Sequence, residues 1–164
     1  MKRKPCLAAS LPLVLSIAWA EPSQTAGDRK GIEARLEQVR AAFERKRFDD
    51  LPNLCTEDCK FKMETGQWIG VREMVAQLKV YMGPMQNLRI KSKTARVAIK
   101  RNRAEVRLNQ TTTGTVVVPP DKVKHTIRAI ETLHYVLTKG PKGWLLTRWD
   151  SVSGKSYVDG KEQK

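Results

Sequence analysis

The sequence has few of the side chains from which metal centres and disulfide frameworks are built. It contains three cysteines and two histidines among 164 residues, and neither His125 nor His134 lies near a cysteine pair. Structural zinc sites need about four closely placed cysteine or histidine ligands. We therefore expect no metal and no cofactor. A chain of this length buries about two-thirds of its unfolded surface, so it can fold without a metal centre or a disulfide framework.

Long apolar runs are also scarce, and the one that exists lies at the N-terminus. Residues 7–20 are mostly apolar, follow three basic residues at 2–4, and end in an A-x-A sequence at 18–20. These features are typical of a secretory signal peptide, and the run is shorter than the roughly 20 residues that span a bilayer. We expect residues 1–20 to be cleaved, and the mature protein to be periplasmic or secreted and not membrane-spanning.

Acidic residues are outnumbered by basic ones. The chain has 31 Lys and Arg against 17 Asp and Glu, a net charge of +14. Removal of the predicted leader takes away three basic residues and no acidic one, which leaves +11. A charge of this size favours anionic partners and says nothing of the fold. For an exported protein these partners would be acidic proteins or the anionic surface of the envelope, and we expect no nucleic acid.

The mature chain keeps two cysteines, Cys55 and Cys59. If both lay in one helical turn, their Cα atoms would be about 6 Å apart, which a disulfide can bridge. Export would permit the bond, and closing so short a loop would contribute about 2 kcal/mol. A disulfide and a pair of buried free thiols are both compatible with the sequence.

The first half of the chain has the apolar spacing of helices. Residues 21–27 are polar and are predicted to be a flexible segment. Helical spacing predicts a first helix from residue 28, a short helical turn over 48–54, and a third helix over 71–82.

The second half of the chain alternates between apolar and polar residues. Short strands are predicted over 59–63 and 68–70, and four long strands between residues 88 and 152. The apolar phase switches between Ser92 and Ala95, which predicts a bulge that bends the first long strand.

These elements predict one α+β domain over residues 28–152, followed by a polar, mobile tail over 153–164. Long strands joined by short turns are antiparallel. We expect three N-terminal helices packed on a strongly curved, mostly antiparallel sheet, as in a cone-shaped half-barrel. Such a cone has a pocket between the sheet and the helices.

Three segments resemble the nuclear transport factor 2-like superfamily, especially its SnoaL-like and ketosteroid-isomerase-like branch. They are the acidic turn and strand at 56–63, the glycine before a helix at 68–74, and the closing strand with Gly143-Trp144-Leu145-Leu146 and Trp149-Asp150-Ser151. The resemblance spans about residues 28–152. It implies a cone-shaped pocket and a homodimer formed through the outer sheet face. It covers isomerases, dehydratases, cyclases and plain binding domains, so it implies no single activity.

The isomerase chemistry of that branch needs a tyrosine on the first helix and a carboxylate base near the end of the first strand. The first tyrosine of this chain is Tyr81, and the family's base falls close to Met63, with Glu64 adjacent but out of phase. We therefore expect a non-catalytic domain that binds a small apolar or amphipathic ligand, or a partner protein.

An enzyme remains the alternative, with Glu131 as general acid or base. Glu131 stands in the apolar phase of its strand, where a carboxylate is costly unless it is paired or faces a wet pocket. Tyr135, Asp150 or Arg148 would assist it, which makes Glu131, Tyr135 and Asp150 the catalytic candidates. The other interpretation is a structural acid paired with Arg128 or Arg148.

His134 lies on the opposite phase from Glu131, so we expect no catalytic dyad of the two.

Aromatic residues suggest how the pocket is lined. The aromatic residues are equally suited to a core or a dimer interface. The candidate pocket residues are Trp68, Tyr81, Glu131, Tyr135, Arg148 and Trp149.

Basic residues crowd two adjacent strands, which contain a single acid, Glu105. Arg89, Lys91 and Lys93 share one phase and predict a stripe on one sheet face. The stripe is either a solvated surface or a patch for the anionic lipid or glycan of an envelope surface or for an acidic protein. No aromatic residue interleaves with it, so stacking on single-stranded nucleic acid is not expected. The residues are Arg89, Lys91, Lys93, Arg96, Lys100, Arg103 and Arg107.

Overall fold

The computed structural model describes residues 22–63, 65–120 and 122–163. The predicted leader, residues 1–20, lies outside the described residues. The helices are α1 (Pro22–Glu44), α2 (Leu51–Leu54) and α3 (Val71–Tyr81), with a 3₁₀ turn at Phe48–Asp50. The strands are β1 (Cys55–Lys62), β2 (Trp68–Gly70), β3 (Gln86–Lys100), β4 (Arg103–Val118), β5 (Val123–Gly140), β6 (Gly143–Val158) and β7 (Lys161–Gln163).

The strands form one sheet in the order β2-β1-β6-β5-β4-β3, with β7 added to β6. Only the β1–β6 pair is parallel among the described strands, and all others are antiparallel. Three helices lie against this mostly antiparallel sheet. The predicted α+β class and architecture are confirmed.

Irregularities in the ladders bend the sheet. The register of β3 against β4 shifts between Thr94 and Arg96, so Ala95 is an extra residue and the predicted bulge is confirmed. Two further shifts in β6 leave Thr147 and Val152 without regular partners on β5. Each such bulge increases the local twist and bend of its strand. The concave side that results faces the helices.

The core lies between the helices and this concave side. One part of it includes Ile32 of α1, Phe61 of β1 and Leu133 of β5. A second part surrounds Phe43 and Phe48 and reaches α3. The amphipathic patterns that predicted the helices thus correspond to the faces that are buried.

Both predicted flexible ends belong to regular elements. Residues 22–27 form the first turns of α1. Pro22 is tolerated there because it is the first helical residue, and the helix accommodates Gly27 at a cost of about 1 kcal/mol. Residues 153–163 continue β6 and form β7. Their polar composition suggested a tail, but the first half of β5 pairs with them, from Ile127 opposite Val158.

The prediction that the mature chain does not span a membrane can be compared with the helices of the structure. Within the described ranges, α1 to α3 include no helix that is both long and apolar enough to cross a bilayer.

Candidate functional site

Trp149 of β6 stands at the centre of the cone. Its ring centroid lies 5.3 Å from that of Phe43, 5.5 Å from that of Phe61 and 5.1 Å from that of Tyr135. The first two contacts are edge-to-face, a favourable aromatic arrangement. One ring thereby joins α1, β1 and β5, and the inside of the cone is a packed aromatic cluster.

A cavity inside the cone, between α1 and the sheet, has a volume of about 20 Å³. Small-molecule pockets are usually about 300–1,000 Å³, and a space of this size holds about one water molecule. The predicted cone is therefore present, but large side chains fill the place where a ligand-sized pocket was expected. The cavity is lined by Leu36, Val39, Arg40, Phe43, Ile90, Ser92, Leu108, Gln110, Tyr135 and Trp149.

Tyr135 and Glu131 lie on the concave side, as their common phase predicted. The register places Glu131 opposite Gln110 and Gly154, with its Cγ beside Gly154. Tyr135 is only 3 % exposed. Burial raises the pKa of the Tyr135 phenol above its usual range, and the charges of Glu131 and Cys55 add to the effect. The phenol is therefore a neutral hydrogen-bonding group at ordinary pH and not a general base.

Asp150, the third catalytic candidate, lies on the other side of the sheet. The register pairs it with His134, while the preceding Trp149 pairs with the inward-facing Tyr135. Oδ1 of Asp150 lies 3.2 Å from Nδ1 of His134, and Glu105 approaches Nε2 of the same ring at 3.7 Å. The three catalytic candidates are thus divided between the two faces of the sheet and form no common site.

Three of the six pocket candidates lie outside the cone. Trp68 is 37 % exposed on the convex side, where the guanidinium of Arg148 lies 4.3 Å from its ring centroid and Nζ of Lys62 lies 5.9 Å away. Tyr81 ends α3 and is 73 % exposed. Cation–π contacts of this kind stabilise a surface indole. Trp68 and Arg148 therefore contact one another on the convex side and do not line the cone.

An ion-pair cluster that sequence reasoning missed closes the cone between α1 and β3. Arg40 donates to Glu44 at 2.6 Å and also to Glu37, and Glu44 accepts the backbone N–H of Ile90 at 2.7 Å. The hydrogen bond from Arg40 lowers the pKa of Glu37. The spacing of Glu37, Arg40 and Glu44 on α1 is a detectable signal for the intrahelical pairs, but the bond to β3 depends on the fold.

The basic stripe occupies the convex side of β3 and β4. The register sets Arg96 directly opposite Arg107, and Lys100 opposite Arg103. Like charges in such pairs repel one another. Glu105, the single acid of the two strands, bonds Arg103 at 3.2 Å. Because Arg89, Lys91 and Lys93 are in phase with Arg96 across the bulge, all seven basic candidates share this face.

Cys55 and Cys59 are both buried free thiols in β1. They lie in an irregular strand, with a register shift between Cys55 and Lys60, and not in the helical turn that the spacing suggested. A hydrogen bond with Cys55, followed by burial, raises the pKa of the Cys59 thiol far above its usual range. The thiol of Cys59 is therefore protonated at ordinary pH, and the disulfide stays a prediction.

Metal ligands are not gathered in the described part of the chain. Among residues 22–63, 65–120 and 122–163, no group of three or more His, Cys, Asp or Glu side chains is placed to hold an ion.

A second concavity, which the sequence did not indicate, lies outside the cone. It is an open groove of about 460 Å³ between α1 and the turn that joins β5 to β6. Its size is that of a small-molecule site. It is lined by Gly27, Asp28, Gly31, Ala34, Arg35, Gln38, Lys139, Gly143 and Trp144.

Neither the protein-family models nor the curated proteins give a match to this chain. Solved structures do. A protein from Kribbella flavida is similar with a TM-score of 0.67 at 17 % identity, over 79 % of this chain and 94 % of that one. A nuclear transport factor 2-like superfamily protein from Salmonella enterica gives 0.64 at 14 %, over 79 % and 92 %. A hexachlorocyclohexane dehydrochlorinase gives 0.65 at 10 %, over 84 % and 93 %.

These similarities show the fold. The chain has the nuclear transport factor 2-like cone fold, and the resemblance that the sequence indicated is confirmed at that level. Identities this low carry no activity from one protein to another. The predicted homodimer stays a prediction.

Proposed function

We propose that this protein is a non-catalytic, exported domain that binds an anionic lipid surface of the cell envelope through the convex face of its sheet. The observation that carries the proposal is the basic stripe, in which all seven cations of β3 and β4 share one face and one acid accompanies them. The leader-like residues 1–20 support export, since they match a signal peptide in charge, length and ending.

The chemistry of the stripe favours a lipid surface over an acidic protein. Protein interfaces take most of their binding energy from buried aromatic or apolar anchors. The neighbours of the stripe on the convex side of β4 are Asn109, Thr111 and Thr113, which offer no such anchor. Anionic headgroups need only positive charge, at about 1 kcal/mol for each Lys or Arg near the surface.

The filled cone supports the non-catalytic part of the proposal. A substrate has about 20 Å³ inside it, and Asp150 is on the far side of the sheet from Glu131. The enzyme alternative rests on Glu131 and Tyr135 sharing the concave side. It predicts that Glu131→Gln abolishes a turnover that the wild type has, whereas the binding proposal predicts unchanged vesicle binding in that variant.

The test is sedimentation with vesicles of equal parts phosphatidylglycerol and phosphatidylcholine. We expect binding at about 0.05 M salt that is largely lost at about 0.5 M, because salt screens exposed charges. The variant Lys91→Glu/Lys93→Glu should bind at least tenfold more weakly, since it replaces two attractive charges with repulsive ones, each worth about 1 kcal/mol.

The matched control is Lys30→Glu/Arg72→Glu, which changes the net charge equally at exposed positions on α1 and α3. It should bind nearly as well as the wild type. Equal weakening of both variants would show that net charge, and not the stripe, attracts the vesicles. Absence of binding at low salt would make the proposal wrong.

A further inference from the structure

The hairpin that joins β4 to β5 projects beyond the rest of the sheet. Among the described strands, β3 pairs with β4 only as far as Thr115, and β6 pairs with β5 only from Ile127 onward. Past these positions β4 and β5 pair only with each other, over residues 116–118 and 123–125. We call these six residues the hairpin tip. It is a two-stranded arm, a structure that is marginally stable by itself in water.

The hairpin tip is apolar although most of it is exposed. Four of its six residues are valine. Val117, Val118 and Val123 are 40, 47 and 48 % exposed, and they are three of the eight large apolar side chains that are exposed among the described residues. Single apolar residues are normal on a surface, whereas a cluster of them marks contact with another molecule. Val117 lies on the convex side and the other two on the concave side, so only a contact made end-on would bury all three.

Positive charges flank these valines. Lys122 and Lys124 are exposed next to them, and Arg128 follows on β5. The single acid between residues 106 and 130 is Asp121, which lies outside the described residues. Apolar side chains with cations beside them suit the boundary between the headgroups and the acyl chains of an anionic bilayer. A second copy of the chain suits the hairpin tip less well, because two tips in contact would bring their lysines together.

The hairpin tip continues the convex face that carries the basic stripe. Arg89 of the stripe lies opposite Thr113, and Thr115 and Val117 follow on the same side of β4. Lys124, opposite Val117, extends the positive charge into the tip. Four residues of a strand span about 13 Å. The near end of the stripe and the hairpin tip can therefore touch one lipid surface.

We propose that the hairpin tip inserts end-on into the anionic lipid surface, with its valines among the upper acyl chains and its lysines at the headgroup phosphates. This insertion presupposes the lipid binding proposed above and adds an apolar anchor to it. Salt screens the attraction of the stripe but not the burial of valine side chains. A hydrogen bond of 2.7 Å between His125 and Asp159 holds the base of the tip to the end of β6.

The first test replaces valine by threonine, which has nearly the same shape and suits a strand as well but carries a hydroxyl group. With the vesicles of the assay above, Val118→Thr/Val123→Thr should raise the Kd about tenfold, because one buried methyl group is lost at each position. The matched control is Val80→Thr/Val152→Thr, the same change at valines that are 68 and 52 % exposed on α3 and β6. It should bind like the wild type.

The second test measures insertion directly. With otherwise identical vesicles whose acyl chains carry bromine, Val118→Trp should show quenching of its fluorescence beyond that of the tryptophans of the wild type. Val80→Trp should show no additional quenching.

Insertion is ruled out if the two threonine double variants bind equally, or if Val118→Trp gains no quenching. It is also ruled out if Val118→Thr/Val123→Thr changes the oligomeric state without vesicles, which would assign the hairpin tip to a second copy of the chain. In each of these cases the wild type still binds at low salt and is released by high salt, so the proposal for the stripe stands. A wild type that does not bind at low salt would overturn both.

Discussion

Trp149 is the side chain around which the aromatic residues inside the cone pack. Its contacts with Phe43, Phe61 and Tyr135 bring rings from three elements together. Each aromatic pair of this kind contributes about 0.5–1.5 kcal/mol beyond its buried area. A ligand entering the cone would have to displace these contacts, which is why the convex face is the better place to look for binding.

The raised pKa of the Tyr135 phenol leads us to expect that the folded protein loses stability at alkaline pH. Its pKa is raised in the folded protein, mainly by burial, while in the unfolded chain it is about 10. The folded state therefore keeps the phenol protonated, and stability is lost as pH rises above about 10, by up to about 1.4 kcal/mol per pH unit. We expect Tyr135→Phe to lack this component. Denaturant unfolding of both proteins between pH 8 and about 11 measures it, and parallel curves would contradict the prediction.

Helices and strands could be predicted from the sequence where one face is buried and apolar residues recur at the regular spacing of the element without interruption. The apolar stripe of α3 and the shared phase of Glu131 and Tyr135 are read directly from the sequence. Bulges break this inference, because one extra residue reverses the side on which all later side chains lie. Thr147 does so in β6, and it brings Trp149 to the concave side along with Leu146.

Other parts of the candidate site depend on contacts that no local pattern records. The β2 strand has three residues, too few to show which face Trp68 takes, and its position follows from pairing with Lys62. The groove requires α1 to pass over the β5–β6 turn, so the meaning of Gly31 appears only once Trp144 is beside it. The positions of helices and strands could thus be predicted, whereas contacts between side chains far apart in the sequence could not.

The two glycines of α1 should respond in opposite directions to the same substitution. Glycine in a helix interior costs about 1 kcal/mol relative to alanine. At Gly27 the added methyl meets open space, so Gly27→Ala should stabilise the protein by up to about 1 kcal/mol. At Gly31 it would press on Trp144 at 2.9 Å, and crowding in a packed region costs about 1–3 kcal/mol. Denaturant midpoints measure both, and a stabilising Gly31→Ala would show that α1 shifts freely over the sheet.

Across the whole molecule, apolar burial and charge are divided between the two faces and the two ends of the sheet. Aromatic and aliphatic side chains fill the concave side near the helices, and the basic stripe lies on the convex side. The sheet also extends beyond the helices. Among the described residues of β5, buried positions begin at Leu133, and none occurs from Val123 to Glu131. The segment of β6 from Val152 to Val158 likewise has none.

Because only the second half of β5 has buried residues, we expect the two halves of this strand to differ in their protection from hydrogen exchange. Backbone hydrogen bonds join β5 to β4 and β6 along both halves, but local opening costs less where few apolar contacts are broken. In hydrogen exchange measured by mass spectrometry, peptides covering 123–131 should exchange about tenfold or more faster than those covering 132–140, which corresponds to about 1.4 kcal/mol in opening free energy. Equal protection along β5 would contradict this. If dilution then restored fast exchange at 123–131, a second copy of the chain would be what covers the exposed half, since protection by association depends on protein concentration.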